Sequence, residues 1–361
     1  MLPFPYAPDV ETVSDDEARM TEEIVEQMAA TNRCTFERHR HAVRDAHAKS
    51  NGLLVGELEV HAELPPELRQ GIFADARIYQ VVARLSSAPG DIHSDKIPAP
   101  RGFALKVMGV EGERLSPDIA GANQDFLMVN FPVLAFGTIA RYKQMLALLE
   151  ANAHAPDTFQ RLVAGTARGA KELVQALGME PGATLEGLAR DNHHPLGETY
   201  HTQAAIRYGD YIAKLALAPK SEAVRALAGQ PLQEVHDACM RDAVSAFFAE
   251  HGAEYELSAQ LCVDIKAMPV EDAAIRWSEE RSPHRAIATL RFPPQSTATP
   301  QRQVYGDDVL SFNPWNGIQA HRPLGGIMRI RRAAYERSSE YRHKMNARPR
   351  TEPSQPSDIP E

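Results

Sequence analysis

Residues 43–60 read VRDAHAKSNGLLVGELEV, and the second half of this stretch decides the fold. Leu54, Gly56, Leu58, Val60, Ala62 and Leu64 alternate with Val55, Glu57, Glu59, His61 and Glu63. A period of two sustained over that length marks a long strand with one buried face. Comparable runs stand at 77–86, 102–108, 125–131, 203–217, 256–266 and 285–292. Apolar residues at helical spacing occupy 137–150, 157–177 and 231–250, with Pro181 and Pro219 nearby as breakers. An N-cap signal at Ser14–Asp16 opens a helix expected to reach Asn32, and a second short helix is expected over 35–46. Long strands without βαβ alternation predict an antiparallel sheet, and their length predicts closure into a barrel. The fold class expected is therefore α+β, an antiparallel barrel with helical insertions.

Composition narrows the function. The chain has 361 residues, 43% of them hydrophobic and 24% charged, which suits an ordinary globular protein. A net charge of −9 argues against a nucleic-acid binder, because phosphate contacts need a basic surface. Cys34, Cys239 and Cys262 are scattered and odd in number, so neither a disulfide framework nor a zinc knuckle is implied. The acidic start, MLPFPYAPDVETVSDDEARM, lacks a basic segment followed by an apolar one, and no apolar run is long enough for a membrane span. A reducing, cytoplasmic setting is the expectation. Residues 1–35 read as an N-terminal arm and helix, 36–346 as one domain, and 347–361, polar and proline-rich, as a disordered tail.

The chemistry-bearing stretch is 325–342, GGIMRIRRAAYERSSEYR. On a helix Arg331, Tyr335 four residues on, and Arg342 seven beyond that share a face. Nearby guanidiniums favour the ionised phenol, and a phenolate is a hard oxygen ligand suited to ferric iron. Each residue alone says little. A helical tyrosine is ordinarily a packing residue, RIRR is ordinarily a solvated basic face, and His47 is one histidine among fourteen. His39 and His41 fall on opposite helix faces and have no carboxylate to complete a ligand set with His47. His193–His194, before Pro195, reads as a structural loop pair.

Order and spacing lift these residues, and here the chain resembles the haem catalases, most of all the smaller catalase-related haem proteins. Arg44-Asp45-Ala46-His47-Ala48 matches the family's Arg-x-x-His-Ala, and Gly52 to Leu64 its glycine-containing strand. Ala83-Arg84-Leu85-Ser86 and Arg101-Gly102-Phe103-Ala104-Leu105-Lys106 match the two strand motifs that follow, and Arg331, Tyr335 and Arg342 match the proximal helix. The resemblance spans about 30–345. It implies a catalase-like barrel of about eight strands, with residues 36–346 as the haem-binding domain and a C-terminal helix supplying the proximal ligand. It also implies haem b with ferric iron held by Tyr335, the tyrosinate ligand that catalases use, and Arg331 keeping that phenol ionised. Arg44, Arg84 and Arg342 would hold the propionates. His47 would be the distal acid–base group, oriented by Ser86.

The distal asparagine is Asn130 when the chains are aligned on Pro132, with Asn123 as the rival. The family's distal aromatic pair becomes Val133-Leu134 or Leu127-Met128, and the valine before the histidine becomes Ala46. Smaller side chains imply a wider pocket. The function implied is a haem peroxidase that uses hydrogen or organic peroxide, through a ferryl intermediate, to oxidise a small organic donor, with weak catalase activity. The alternatives are an enzyme converting organic (fatty-acid) hydroperoxides and a non-catalytic haem-binding or sensing protein. The expected partners are peroxide and the donor; no nucleic acid and no membrane span are expected, and a homodimer is allowed.

Overall fold

The computed structural model describes residues 2–96, 99–116, 119, 121–134, 136–151, 193–232 and 235–361. The expected helix over 157–177 lies outside them. Helix α1 covers Glu17–His39, followed by β1 Lys49–Val60, β2 Ile78–Ser87, β3 Arg101–Val107, β4 Gln124–Val129 and α2 Ile139–Ala151. Then come β5 Tyr200–His201, β6 Ile206–Tyr208, β7 Tyr211–Pro219, α3 Cys239–Glu250, β8 Ala253–Leu261, β9 Arg285–Phe292 and α4 Gly326–Met345. The strands pair antiparallel in the order β5-β4-β3-β2-β1-β9-β8-β7, and β5 returns to β7 through Tyr200↔Leu217 and His201↔Ala216. That return closes an eight-stranded barrel, the α+β architecture expected.

Alternation along the strands fills the barrel with side chains. Leu54, Leu58, Leu105, Leu257 and Leu290 are among the residues that point inward with an aromatic cluster. The Phe103 ring centroid lies 5.3 Å from that of Tyr200, 5.8 Å from Tyr255 and 6.2 Å from Phe292. The buried phenols keep partners, Tyr200 donating to Pro195 O at 2.7 Å and Tyr255 to Leu196 O at 3.0 Å, as buried hydroxyls must. The barrel interior is thus a packed core. Helix α4 lies outside it, sharing a cluster of Ile330 with Ile24 of α1 and Ile139 of α2. Its first turn is tied to the N-terminal arm where Arg329 meets Glu11, Glu17 and Glu271.

Three expectations need correction. The second helix over 35–46 does not form as a separate element. Helix α1 runs on to His39, and Arg40 then ends it in the left-handed region (φ 54°), its N–H returning to Phe36 O at 2.7 Å. From Ala42 the chain bonds instead to Asn346, which accepts from Ala42 N and donates to Ala42 O, each at 2.9 Å. The run 203–217 is not one strand. Gly209 (φ 62°) turns it between Tyr208 and Tyr211, leaving β6 as a flap on β7 outside the closed ring. The tail is also not free. Ile359 is buried beside Leu53, Val82 and Leu310, and Arg302 Nε donates to Pro360 O at 2.8 Å.

What holds the tail is a buried charge. Lys106 Nζ, fully buried, donates to Asp125 Oδ1 and to Glu352 Oε2, each at 2.7 Å. Glu352 also accepts from Arg350 and Asn123. A polar tail reads as disordered in sequence, yet a lysine buried on a central strand needs anionic partners. Replacing Lys106 with methionine is expected to lower unfolding stability by roughly 3–5 kcal/mol, the usual cost of leaving buried partners unpaired. Urea denaturation followed by circular dichroism measures it; a loss under about 1 kcal/mol, the scale of an exposed pair, would mean the triad is solvated.

Candidate functional site

The residues singled out by sequence assemble at the end of β1–β4 where the chain enters the barrel. His47 sits in the irregular stretch between α1 and β1 with φ 53°, a conformation non-glycine residues seldom adopt. Neighbouring groups hold it there. Arg84 of β2 donates from Nη1 to His47 O and from Nη2 to Ala48 O, each at 3.0 Å, and Ala48 N donates to Pro89 O at 3.0 Å. Ser86 and Gly102 face each other across the β2–β3 ladder. A Cβ on Gly102 would lie 2.7 Å from His47 Nδ1 and 2.8 Å from Ser86 Oγ. The imidazole and the hydroxyl therefore occupy the space that a side chain at 102 would need.

His47 Nδ1 is buried and has no hydrogen-bond partner. Burial, then the charges of Arg84 and Arg331, push the imidazole down to about 4, so it is neutral at physiological pH and free to accept a proton. Gly102→Ala places a methyl group where contacts under 3 Å leave no room. It is expected to displace His47 or Ser86 and, with His47 in the acid–base role proposed below, to slow a reaction with peroxide about a hundredfold, the usual cost of misplacing a reacting group by an ångström. Stopped-flow rates together with a melting curve check this; a full rate in a folded variant would show that the ring tolerates the shift.

The two asparagines part company. Asn130 follows β4 and pairs with Arg101, its N donating to Arg101 O at 3.0 Å and its Oδ1 accepting from Arg101 N at 2.9 Å. This puts it one residue from Gly102, with a buried and unpartnered Nδ2. Asn123 precedes β4 at the other end and donates to Glu352 Oε2 at 3.1 Å and Pro353 O at 3.0 Å. Only Asn130 lies with His47 and Ser86. Of the two pairs read in place of the family's aromatics, Met128 belongs to the barrel core and Leu127 to a cluster with Leu53 and Val82. Val133 and Leu134 come just after Asn130, with Gln203 Nε2 donating to Val133 O at 2.8 Å.

Arg44, Arg84 and Arg342 converge on an irregular turn, Tyr305–Val309. Asp307 accepts from Arg84 Nη2 at 3.0 Å and from Arg44 Nη1 at 3.3 Å. Arg44 Nη2 also reaches Gly306 O and Leu310 O, each at 2.7 Å, while Arg342 bonds to Asp307 O and, at 2.8 Å, to Ser311 Oγ.

Arg331 and Tyr335 stand one turn apart on α4, as their spacing requires, and Arg331 favours the ionised phenol as expected, but burial outweighs it. Burial pushes the Tyr335 phenol up, and Asp45 adds to the rise. Arg331 and Arg44 pull it down without prevailing. Arg342, the second guanidinium expected to flank it, is spent on the 305–311 segment. The phenol is protonated in the chain by itself, so a phenolate here has to be drawn out by a bound cation.

Sequence reading missed Asp45 and Asp307. Asp45, two residues before His47, has a buried Oδ2 without a partner and is pushed up to about 6 by burial, against a hydrogen bond from Ser338. Tyr142 on α2 rises to about 12 through burial and the Asp45 charge. No pattern in the sequence signals either carboxylate, because both owe their surroundings to segments hundreds of residues away. The other histidines have structural partners: His39 bonds to Asp91, and His41 bonds to Asp308 at 2.7 Å. His194 caps the Pro195–Gly197 turn, accepting from Leu196 N at 3.2 Å. Among the described residues no three His, Cys, Asp or Glu side chains gather as a metal site, and no helix is long and apolar enough to cross a membrane.

No family model and no curated protein sequence matches this chain. Solved structures do. A fungal catalase superposes with a TM-score of 0.60 at 16% identity, covering 85% of this chain and 61% of that one. Catalase A from Saccharomyces cerevisiae gives 0.57 at 16% identity, covering 86% and 64%. A bacterial catalase gives 0.57 at 14% identity, covering 94% and 63%. The chain thus spans less than two thirds of the length of each. Barrel, strand order and helices together show that this protein has the fold of the catalases.

Proposed function

We propose that the chain is a haem-dependent peroxidase that consumes hydrogen or organic peroxide and oxidises a small organic donor. The observation that carries this reading is a buried, neutral His47 whose Nδ1 has no partner, grouped with Ser86 and Asn130 over a glycine that leaves them room. A buried polar atom without a partner is costly unless it has a task. The residues suit haem b. Tyr335 would hold the ferric iron, and three buried guanidiniums would hold its two carboxylates, which planar, charged donors recognise well. When bound, haem supplies the redox-active iron at which peroxide is reduced. Arg331 lowers the cost of the Tyr335 phenolate.

With haem bound and supplying the two electrons that break the O–O bond, His47 would take the proton from one oxygen of peroxide and return it to the other, which would leave as water. Asn130 Nδ2 is the donor available to steady that oxygen, and Ser86 Oγ lies with the imidazole over Gly102 without a bond to Nδ1. A carrier or sensor needs no such base, which favours an enzyme.

By the resemblance, Ala46, Val133 and Leu134 replace bulkier groups of the catalases. Disproportionation requires a second, very small peroxide molecule to be oriented tightly, and a wider pocket instead admits larger donors. The same width keeps conversion of organic hydroperoxides as the second reading. The purified, haem-loaded protein is expected to oxidise phenolic or aryl-amine dyes with peroxide and to evolve oxygen far more slowly than a catalase. Oxygen-electrode and dye assays on one preparation test this. Vigorous oxygen release without dye oxidation would sink the peroxidase reading; isomerisation of a fatty-acid hydroperoxide without a donor would favour the second.

A further inference from the structure

Arg44, Arg84 and Arg342 come from the loop before β1, from strand β2 and from helix α4, yet all three bind one short turn. Asp307 Oδ1 accepts from Arg84 Nη2 at 3.0 Å, from Arg84 Nε at 3.3 Å and from Arg44 Nη1 at 3.3 Å, and its backbone oxygen accepts from Arg44 and Arg342. Asp308 next to it turns elsewhere, accepting from Asn346 at 3.1 Å and pairing with His41 at 2.7 Å. Arg44 and Arg84 thus share a single carboxylate side chain, and Arg342 reaches the same residue through its backbone oxygen. The arginines are the fixed part. The Arg84 side chain is 3% exposed and Arg44 14%, whereas Asp307 is 35% exposed. Arg84 is further pinned by the carbonyls of His47 and Ala48. Asp307 itself rides on a π-type turn, whose loose hydrogen bonding often marks functional sites.

We propose that Asp307 is a resident stand-in for a ligand carboxylate. In the unloaded chain its carboxylate fills the anion site made by Arg44 and Arg84 beside Arg342, and it swings out toward water when a ligand carrying carboxylates binds there. The identity of that ligand as haem rests on the function proposed above; the occupancy of the site by Asp307 does not. The stand-in keeps three like charges together before loading, and it makes uptake a competition between carboxylates rather than entry into an open site. Loading then includes a displacement step that only a ligand with free carboxylates requires.

The test uses the full chain without haem and three probes: hemin, hemin dimethyl ester and succinate. With wild type, the observed rate of hemin uptake should level off as hemin is raised, because displacement of Asp307 limits it, while uptake of the ester stays linear. Asp307→Asn should bind hemin about tenfold tighter, the scale of one charge-assisted hydrogen bond, with no plateau and no change for the ester. Asp307→Glu should behave as wild type. Succinate should raise the melting temperature of Asp307→Asn and leave that of wild type nearly unmoved. Should the asparagine variant not fold, the wild-type plateau decides. Weaker hemin binding in folded Asp307→Asn, linear uptake of both porphyrins by wild type, or equal succinate effects would overturn the proposal. Succinate stabilisation specific to Asp307→Asn, with no porphyrin bound by either protein, would uphold the stand-in and overturn the haem reading instead.

Discussion

Replacing Tyr335 with phenylalanine is expected to leave the chain folded and to strip it of haem. The ring stays in its place on α4 and only the hydroxyl goes, so packing volume barely changes. That hydroxyl is held protonated by burial, and its removal leaves no buried charge behind. Iron affinity, by contrast, loses the one bond the chain is proposed to make to it. Partners that merely orient a metal ligand are worth about 10–100-fold in affinity, so loss of the ligand itself should exceed that range. Haem stoichiometry by the pyridine haemochrome method, read beside a melting curve, measures the effect. A variant with full haem and an unaltered spectrum would show that another residue holds the iron. Because the phenol has to ionise to bind, uptake by wild type should weaken as pH falls, a dependence the phenylalanine variant cannot show.

His47→Ala should keep haem and slow the first reaction with peroxide by about two to four decades, the usual worth of a positioned acid–base group. The pH profile adds a second signature. Burial first, and then Arg84 and Arg331, hold the imidazole down to about 4. A base with a lowered folded-state value keeps its function through the ordinary histidine range and loses it only as pH falls through that lowered value. The wild-type rate should therefore be flat from pH 7 to near 5 and decline toward 4, and His47→Ala should lose that decline. Stopped-flow mixing over this range is the measurement. An unchanged rate in the variant, or a wild-type midpoint near the ordinary value of about 6.5, would remove a buried His47 from the mechanism.

Much of the architecture was legible because it is local. Strand β1 announced itself by period two, although it runs Lys49–Val60 and stops short of Leu64, and β3, β4 and β9 fell within a residue or two of their predicted limits, since alternate side chains of a strand point into the barrel. Errors came where tertiary contacts overrode local pattern. A helical run past His39 gave way because Arg40 turns left-handed and Asn346, three hundred residues on, takes over the backbone of Ala42. The run 203–217 looked like one strand because a single glycine turn hardly disturbs alternation. A polar tail looked disordered because its anchor, Lys106, lies on a strand far away in sequence.

The candidate site divides in the same way. By themselves the residues determined which side chains could carry the chemistry. Arg331 and Tyr335 share a face because a helix repeats every 3.6 residues, and Arg84 and Ser86 share one because a strand repeats every two. Only the tertiary structure decided that Asn130 rather than Asn123 joins His47, because the two asparagines lie at opposite ends of β4 and the sequence does not say which end meets the β1 loop. It also decided the protonation of Tyr335. Spacing shows a guanidinium next to a phenol and so predicts a lowered value. Burial depends on everything packed around that pair, and here it outweighs the charge. Asp45 and Asp307 stayed invisible for the same reason. A carboxylate's role is set by the groups it meets, and those come from distant segments that only the closed barrel and its packed helices bring together.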